Sequence, residues 1–321
     1  MSDFKAWKLI SLFCLFSLML GCESKEERTQ QTIKYTLEQA SQEINTLGDA
    51  LDNKLIRNAN LLTEYAKVLS QKNPQMSAIA ELISQDATKN GPLYQNLQKR
   101  LNDLQKADPA MASQEIIEQA SLLKEAATLS LFADALTDPI NVLADMSGGE
   151  LARVGAISKD AEETANAGNP TLGNQLVGNA NYGQWQTNSE GISFWQWYGM
   201  YRMLGDVVGA VEYGSWSKRR KYSYYNDYGR KRYTSYNQYK QQTTVENRTR
   251  QSYQSQGKQF TSPYAKTKSG ASGLSRSSYT PPSTTSTSRS SYSKASSPTK
   301  SSTGSVRNSS SRTSRGVSRG K

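Results

Sequence analysis

The chain has 321 residues and a formal net charge of +11, but only 36% of its residues are hydrophobic and its mean hydropathy is −0.71. Such a polar sequence cannot bury all of its length, so we expect part of the chain to lie outside any folded core. The sequence contains no histidine, which excludes Ser-His-Asp and Cys-His catalysis and any metal or haem site held by imidazole.

The charge is divided unevenly along the chain. Residues 23–216 contain 15 Lys and Arg against 25 Asp and Glu, whereas residues 217–321 contain 22 against 2. An acidic body joined to a strongly basic end is typical of proteins that contact a partner through a charged tail.

The first segment, residues 1–21, has the layout of a signal peptide. Lys5 and Lys8 precede a charge-free apolar run over residues 9–20. These twelve residues suit a signal sequence and fall short of the about 20 that a membrane-spanning helix needs. We therefore expect export and removal of this segment.

Met19-Leu20-Gly21-Cys22 ends this segment and resembles the lipobox of bacterial lipoproteins. Gly21 and Cys22 fit that pattern, whereas Met19 and Leu20 stand where leucine and a small residue are usual. The resemblance implies cleavage after Gly21 and acylation of Cys22, which would anchor the chain to a lipid bilayer. Because Glu23 rather than aspartate follows, it also implies the periplasmic side of a Gram-negative outer membrane. The alternative is an ordinary signal peptide or a short anchor helix with an incidental cysteine.

Residues 22–167 are predicted to form a bundle of four or five helices, so the expected fold is mainly α. Apolar residues recur at spacings of three and four, which predicts one long amphipathic helix over about 26–72. Residues 113–136 are apolar nearly all round and are expected to form the central, buried helix.

A glycine-rich segment, residues 168–191, follows the bundle. It contains three five-residue units that each begin with Gly-Asn. Three units are too few for a stable solenoid, and glycine and asparagine both favour turns, so we predict a linker.

An aromatic segment, residues 192–216, comes next, and four of the five tryptophans lie between Trp185 and Trp216. Aromatic rings at this density suit the headgroup region of a bilayer, and a G-x-x-x-G pair permits close packing of helices. The alternative is that these rings fill the core of the folded body. The residues predicted to contact a membrane are Phe194, Trp195, Trp197, Tyr198, Tyr201, Gly205 and Gly209.

Residues 217–321 are rich in Ser, Tyr, Arg and Lys with few aliphatic residues, which predicts a disordered basic tail. Basic residues between aromatic ones are also typical of single-stranded nucleic-acid binders. Behind an export signal we instead expect anionic lipid, lipopolysaccharide or a cell-wall polymer, and no nucleic acid; a solvated tail without a specific partner is the alternative. The residues predicted to bind a polyanion are Lys218, Arg219, Arg220, Lys221, Arg230, Lys231 and Arg232.

No catalytic, cofactor or metal motif is complete in the sequence. Ser121-Leu-Leu-Lys124 matches S-x-x-K but lacks the partner motifs of serine enzymes, and Glu150 is the only carboxylate we would test for glycan hydrolysis. We therefore expect a non-enzymatic envelope lipoprotein with a structural or binding role. The alternative is a hydrolase that acts on peptidoglycan through carboxylates or a Ser/Lys pair.

Overall fold

The computed structural model of the protein describes residues 24–156 and 172–264. The predictions for the leader, for Gly21 and Cys22, and for residues 265–321 lie outside these residues. Within them the predicted mainly α fold is confirmed, because only one two-stranded sheet accompanies the helices.

Seven α-helices form the first described range, residues 24–156. They are α1 (Lys25–Asp52), α2 (Arg57–Lys72), α3 (Ser77–Ser84), α4 (Pro92–Gln105), α5 (Pro109–Ala127), α6 (Leu129–Ala135) and α7 (Thr137–Met146). The first begins at a capping box, in which Ser24 and Glu27 each accept a hydrogen bond from the other's backbone N–H. Helix α1 packs mainly on α5, and α2 packs on α3 and α7.

The single long helix predicted over residues 26–72 is wrong, because the chain turns between α1 and α2. The side-chain amide of Asn53 donates to the carbonyl of Asp49 at 2.8 Å and ends α1. Lys54 has φ of +55°, a left-handed conformation that a right-handed helix cannot contain. Leu55 is therefore 71% exposed, although its spacing suits the apolar face, and Ile56 is buried in its place.

The central buried helix is α7 rather than the predicted stretch 113–136. All ten residues of α7 are buried. The predicted stretch is divided at Thr128, whose ψ of 137° is extended, and the outer face of α5 carries exposed Ser121 and Lys124. The prediction failed because it counted apolar residues without weighing the polar stripe between them.

The second described range, residues 172–264, contains a hairpin and three helices. Strands β1 (Gly183–Thr187) and β2 (Ser193–Trp197) pair antiparallel with Trp185 opposite Trp195, and α8 (Arg202–Val208), α9 (Tyr213–Arg219) and α10 (Tyr236–Ser255) follow. A second core forms around the hairpin, where Trp185 contacts Trp195 edge-on at 5.0 Å and packs against Tyr213 and Trp216. The aromatic segment therefore contributes to a folded core.

The glycine-rich stretch is not a linker where it is described. Its residues 173–183 are buried, and Gly178 has φ of +85° in contact with Trp216, so that a Cβ at this position would lie 2.8 Å from the indole ring. The two described Gly-Asn units, which begin at Gly173 and Gly178, form tight turns that let the chain pack closely against its neighbours. Composition alone indicated turns but not their burial.

The predicted boundary of the disordered tail at residue 217 is also wrong, because helical structure continues to Ser255 and irregular chain packs on the fold as far as Tyr264. The buried tyrosines of this stretch are Tyr222, Tyr224, Tyr225 and Tyr233, and all four belong to the core that the helical body shares. Tyrosine side chains thus supply the buried apolar surface in this stretch. The prediction of disorder counted only aliphatic residues and therefore missed that surface. Helix α10 begins at a second capping box, Ser235 with Gln238.

Truncated chains can test whether the folded part ends before residue 217, as the sequence predicted, or extends to Tyr264. A chain ending at Tyr264 should unfold at the same temperature as the full chain. A chain ending at Trp216 should lose its cooperative transition, because the four buried tyrosines would be missing from its core. Thermal unfolding followed by circular dichroism measures this difference. Equal unfolding temperatures for the two truncated chains would contradict the structural boundary.

Candidate functional site

The tyrosine-rich stretch is joined to the helical body through a buried carboxylate, Asp138, in the first turn of α7. Asp138 accepts hydrogen bonds from the backbone N–H groups of Tyr224 at 2.7 Å and Tyr225 at 2.9 Å, and from the hydroxyl of Ser223 at 2.9 Å. Burial raises the pKa of Asp138 to about 7, although these hydrogen bonds act to lower it. Its bonds to the backbone assign Asp138 a structural role.

A second buried carboxylate, Asp86, holds the glycine-rich stretch in the same manner. The hydroxyl of Tyr182 donates to it at 2.6 Å. Burial raises the pKa of Asp86 to about 7, against the lowering effect of this hydrogen bond. Both carboxylates are enclosed by protein and inaccessible to a ligand from solvent.

Arg220, which was predicted to bind a polyanion, is buried instead. Its guanidinium group forms an ion pair with Asp227 in which both side chains are fully buried. Its Nε donates to the carbonyl oxygen of Pro263 at 2.8 Å. The prediction for Arg220 is therefore wrong, because its charge is already used inside the fold.

Arg230 and Arg232 are also bonded within the protein, whereas Lys231 between them is exposed. The guanidinium of Arg230 lies 3.6 Å from the ring centre of Tyr264 and 4.4 Å from that of Tyr239. Arg232 donates through Nε to a carboxylate oxygen of Glu125 at 2.7 Å. Within the described ranges no carboxylate pairs with Lys231, so this cation can meet an external anion.

Two adjoining cavities open between α5 and the chain leading into α10. The smaller, of about 240 Å³, is lined by Leu122, Asn226, Asp227, Tyr228, Arg230, Lys231, Arg232, Tyr239 and Tyr264. The larger, of about 410 Å³, is lined by Gln114, Glu115, Glu118, Gln119, Leu122, Lys231, Thr234, Tyr236 and Tyr239. Because they share Leu122, Lys231 and Tyr239, we treat them as one surface, the α5–α10 groove.

The last described residues, 261–264, are fixed beside exposed cations. The hydroxyl of Ser217 donates to the carbonyl oxygen of Thr261 at 2.6 Å, and Tyr264 lines the groove. Lys218 and Arg219, at the end of α9, are exposed next to these contacts, and Lys221 is half-buried. The basic sequence 265–321 thus begins at the groove.

The residues predicted to contact a membrane are divided by the hairpin. Trp195 and Tyr201 are buried, so their assignment is wrong, whereas Phe194 and Tyr198 are exposed and Trp197 is half-buried. The alternation arises because successive side chains of a strand point to opposite faces.

The predicted glycine pair, Gly205 and Gly209, does not form a surface for helix packing. Gly205 makes room for Trp197, since a Cβ there would lie 2.8 Å from the indole ring, and Gly209 ends α8 with φ of +76°. Among the helices of residues 24–156 and 172–264, none has both the length and the apolar character needed to cross a bilayer.

The residues considered for hydrolysis are not arranged for catalysis. Ser121 donates to the carbonyl of Ile117 at 2.8 Å, while Lys124 donates to Gln39 at 3.2 Å, so they do not form a Ser/Lys pair. Glu150 forms an exposed ion pair with Lys72. Glu115 and Glu118 line the groove but lie on one face of α5 and are exposed, whereas glycoside hydrolysis needs carboxyl groups that flank the bond.

The sequence predicted Arg230, Lys231 and Arg232 but not the tyrosines and the polar residues of α5 that complete the groove. The available signal was the capping box Ser235-Tyr-Asn-Gln238, which indicates a helix start inside the predicted tail. The residues of α5 carried no comparable signal, because their role depends on folding beside a distant part of the chain.

The buried ion pair yields a test of the corrected role of Arg220. Replacing Arg220 by alanine should lower the free energy of unfolding by about 3–5 kcal/mol, because it leaves the Asp227 carboxylate buried without its partner. Arg219→Ala is the matched control, and on an exposed position it should change stability by no more than about 0.5 kcal/mol. Urea unfolding measures both; similar losses for the two variants would refute the assignment.

Comparison with known proteins yields no counterpart, since no protein-family model, no curated protein and no solved structure matches this chain.

Proposed function

We propose that this chain is a non-enzymatic lipoprotein of the bacterial cell envelope that is anchored through Cys22 and binds an anionic envelope polymer. One observation carries the proposal of binding: Tyr264, which the basic sequence 265–321 follows, lines the groove together with the exposed cation Lys231. The exposed cations Lys218 and Arg219 follow Ser217, which is bonded to Thr261. The sequence 265–321 contains eleven Lys and Arg and no Asp or Glu. A polymer that contacts the groove can therefore continue along the basic sequence.

The exposed Lys and Arg side chains favour binding through many weak ionic contacts rather than through one tight pocket. Each Lys or Arg near an anionic lipid surface contributes about 1 kcal/mol, so affinity accumulates along a polymer or a surface. Charges exposed to solvent are screened beyond about 8 Å at physiological ionic strength. Binding through these cations should therefore weaken steeply as salt rises.

The lipid anchor is proposed from the resemblance of residues 19–22 to a lipobox, and we place the chain on the periplasmic side of the outer membrane. Helix α1 supports an arrangement in which the body lies near the bilayer. Ser24, only two residues after Cys22, already caps α1. Two residues span at most about 7 Å, so no long spacer would separate an acylated Cys22 from the folded body.

The anchor can be tested by labelling cells with a fatty-acid analogue. The chain should carry the label, and Cys22→Ala should lose it, because the thiol is the acylated group in the proposed scheme. Cys14→Ala is the matched control and should keep the label, since Cys14 lies within the leader. Labelling that persists in Cys22→Ala would rule out this anchor.

Polymer binding can be tested with the acyl-free chain and lipopolysaccharide at low and high salt. Replacing Lys218, Arg219 and Lys231 together by glutamine should weaken binding by at least about tenfold at low salt. Deleting residues 265–321 should weaken it further. Both effects should shrink as salt is raised.

The matched control replaces Lys67, Lys99 and Lys106 by glutamine. These three lysines are exposed on the helical body and lie neither in the groove nor in residues 217–264, and their replacement removes the same charge. Affinity that ignores salt, or that falls equally in the control and in the triple variant, would overturn the proposed binding surface.

A further inference from the structure

The α5–α10 groove carries opposite charges in its two parts. Lys231 lies where the two cavities join, and the larger cavity also contains Glu115 and Glu118 of α5. A ligand with negative charge along its whole length would meet these carboxylates, and juxtaposed like charges oppose binding. A ligand that fills the groove must therefore combine an acidic group with an uncharged part.

The polar residues of the larger cavity suit a ligand rich in hydroxyl and amide groups. The two carboxylates accept hydrogen bonds, and the amide of Gln114 both donates and accepts. The amide nitrogen of Gln119 can also donate, although its oxygen accepts from Arg100 at 3.2 Å, and Thr234 is buried with its hydroxyl bonded to Tyr225. Sugar hydroxyls and acetamido groups offer complementary donors and acceptors. The cavity volume of about 410 Å³ lies in the range of small-molecule sites.

Two tyrosines supply apolar surface in the same cavity. Tyr236 is 48% exposed at the start of α10, and Tyr239 is half-buried one helical turn later. Aromatic rings offer flat surfaces on which the C–H face of a sugar ring can pack. Arg230 contacts the ring of Tyr239, so this surface is positioned before a ligand arrives.

From this juxtaposition we propose that the α5–α10 groove binds an acidic glycan. A sugar ring packs on Tyr236 and Tyr239 and donates hydrogen bonds to Glu115 and Glu118, while its carboxylate pairs with Lys231. The inference rests on the proposed function and narrows the anionic polymer to a polysaccharide of amino sugars that carry carboxylates.

Three probes distinguish the contribution of the sugar rings to binding from that of negative charge. Each probe is titrated calorimetrically into the full acyl-free chain. They are a peptide-free tetrasaccharide of alternating N-acetylglucosamine and N-acetylmuramic acid, chitotetraose, which has similar rings but no carboxylates, and polyphosphate, which has charge but no sugar. The acidic tetrasaccharide should bind at least about fivefold more tightly than chitotetraose, because only its carboxylates can pair with Lys231.

Variants then test the residues. Tyr236→Ala should weaken the acidic tetrasaccharide by about three- to tenfold and leave polyphosphate unchanged. Glu115→Gln, which preserves shape, should weaken the tetrasaccharide without weakening polyphosphate. Tyr35→Ala is the matched control, since Tyr35 is 63% exposed on α1 and outside the groove, and it should change neither affinity.

The two proposals fail in distinguishable ways. Equal affinity for chitotetraose and the acidic tetrasaccharide, or equal effects of Tyr236→Ala and Tyr35→Ala, would overturn the glycan site. Polyphosphate binding that still depends on residues 265–321 would in that case leave the proposed function intact. If lipopolysaccharide and all three probes fail to bind, both proposals are overturned.

Discussion

The contact between the Asp138 carboxylate and the backbone of residues 223–225 is the constraint on which the rest of the structure depends. It places a strongly basic, tyrosine-rich stretch against the most buried helix of an acidic body. Once that stretch is fixed, Arg220 faces Asp227, and Arg230 faces Tyr264, the last described residue. Arg232 then bonds to Glu125, and the hydroxyl of Tyr233 donates to the carbonyl of Ala126, so this stretch lies against α5 and forms the groove with it.

Arg220 and Arg230 stabilise the fold, whereas Lys231 remains available to a ligand. Burying a guanidinium group is costly unless its charge is paired and its N–H groups are bonded, and Arg220 meets both conditions through Asp227 and Pro263. Arg230 is similarly enclosed by aromatic rings and by Gln242. Arginine suits such sites because its planar group stacks and donates several hydrogen bonds at once. The more strongly hydrated charge of Lys231 remains at the surface.

The sequence predicts what depends on local periodicity. The amphipathic pattern around Ile44 and Leu62 is a property of neighbouring residues, and the mainly α fold follows from it. The break at Lys54 depends on one backbone conformation that lysine seldom adopts, so the pattern of apolar residues does not predict it. The folding of the tyrosine-rich stretch was missed for another reason: its hydrogen bonds join residues far apart in the chain, as Tyr224 joins Asp138. The groove has the same origin, and of its lining residues only Arg230, Lys231 and Arg232 could be predicted.

The contacts that hold residues 261–264 to Ser217, Arg220 and Arg230 also determine how the protein would respond to mechanical load. A polymer held by residues 265–321 and an anchor at Cys22 would pull on opposite ends of one chain. Tension on the C-terminal side would first reach the bond from Arg220 to Pro263, the bond from Ser217 to Thr261 and the ring of Tyr264 on Arg230. The same tension would pass through the helical body, but its helices pack in one large core. The few contacts of residues 261–264 would therefore rupture at a lower force, and the body would remain folded.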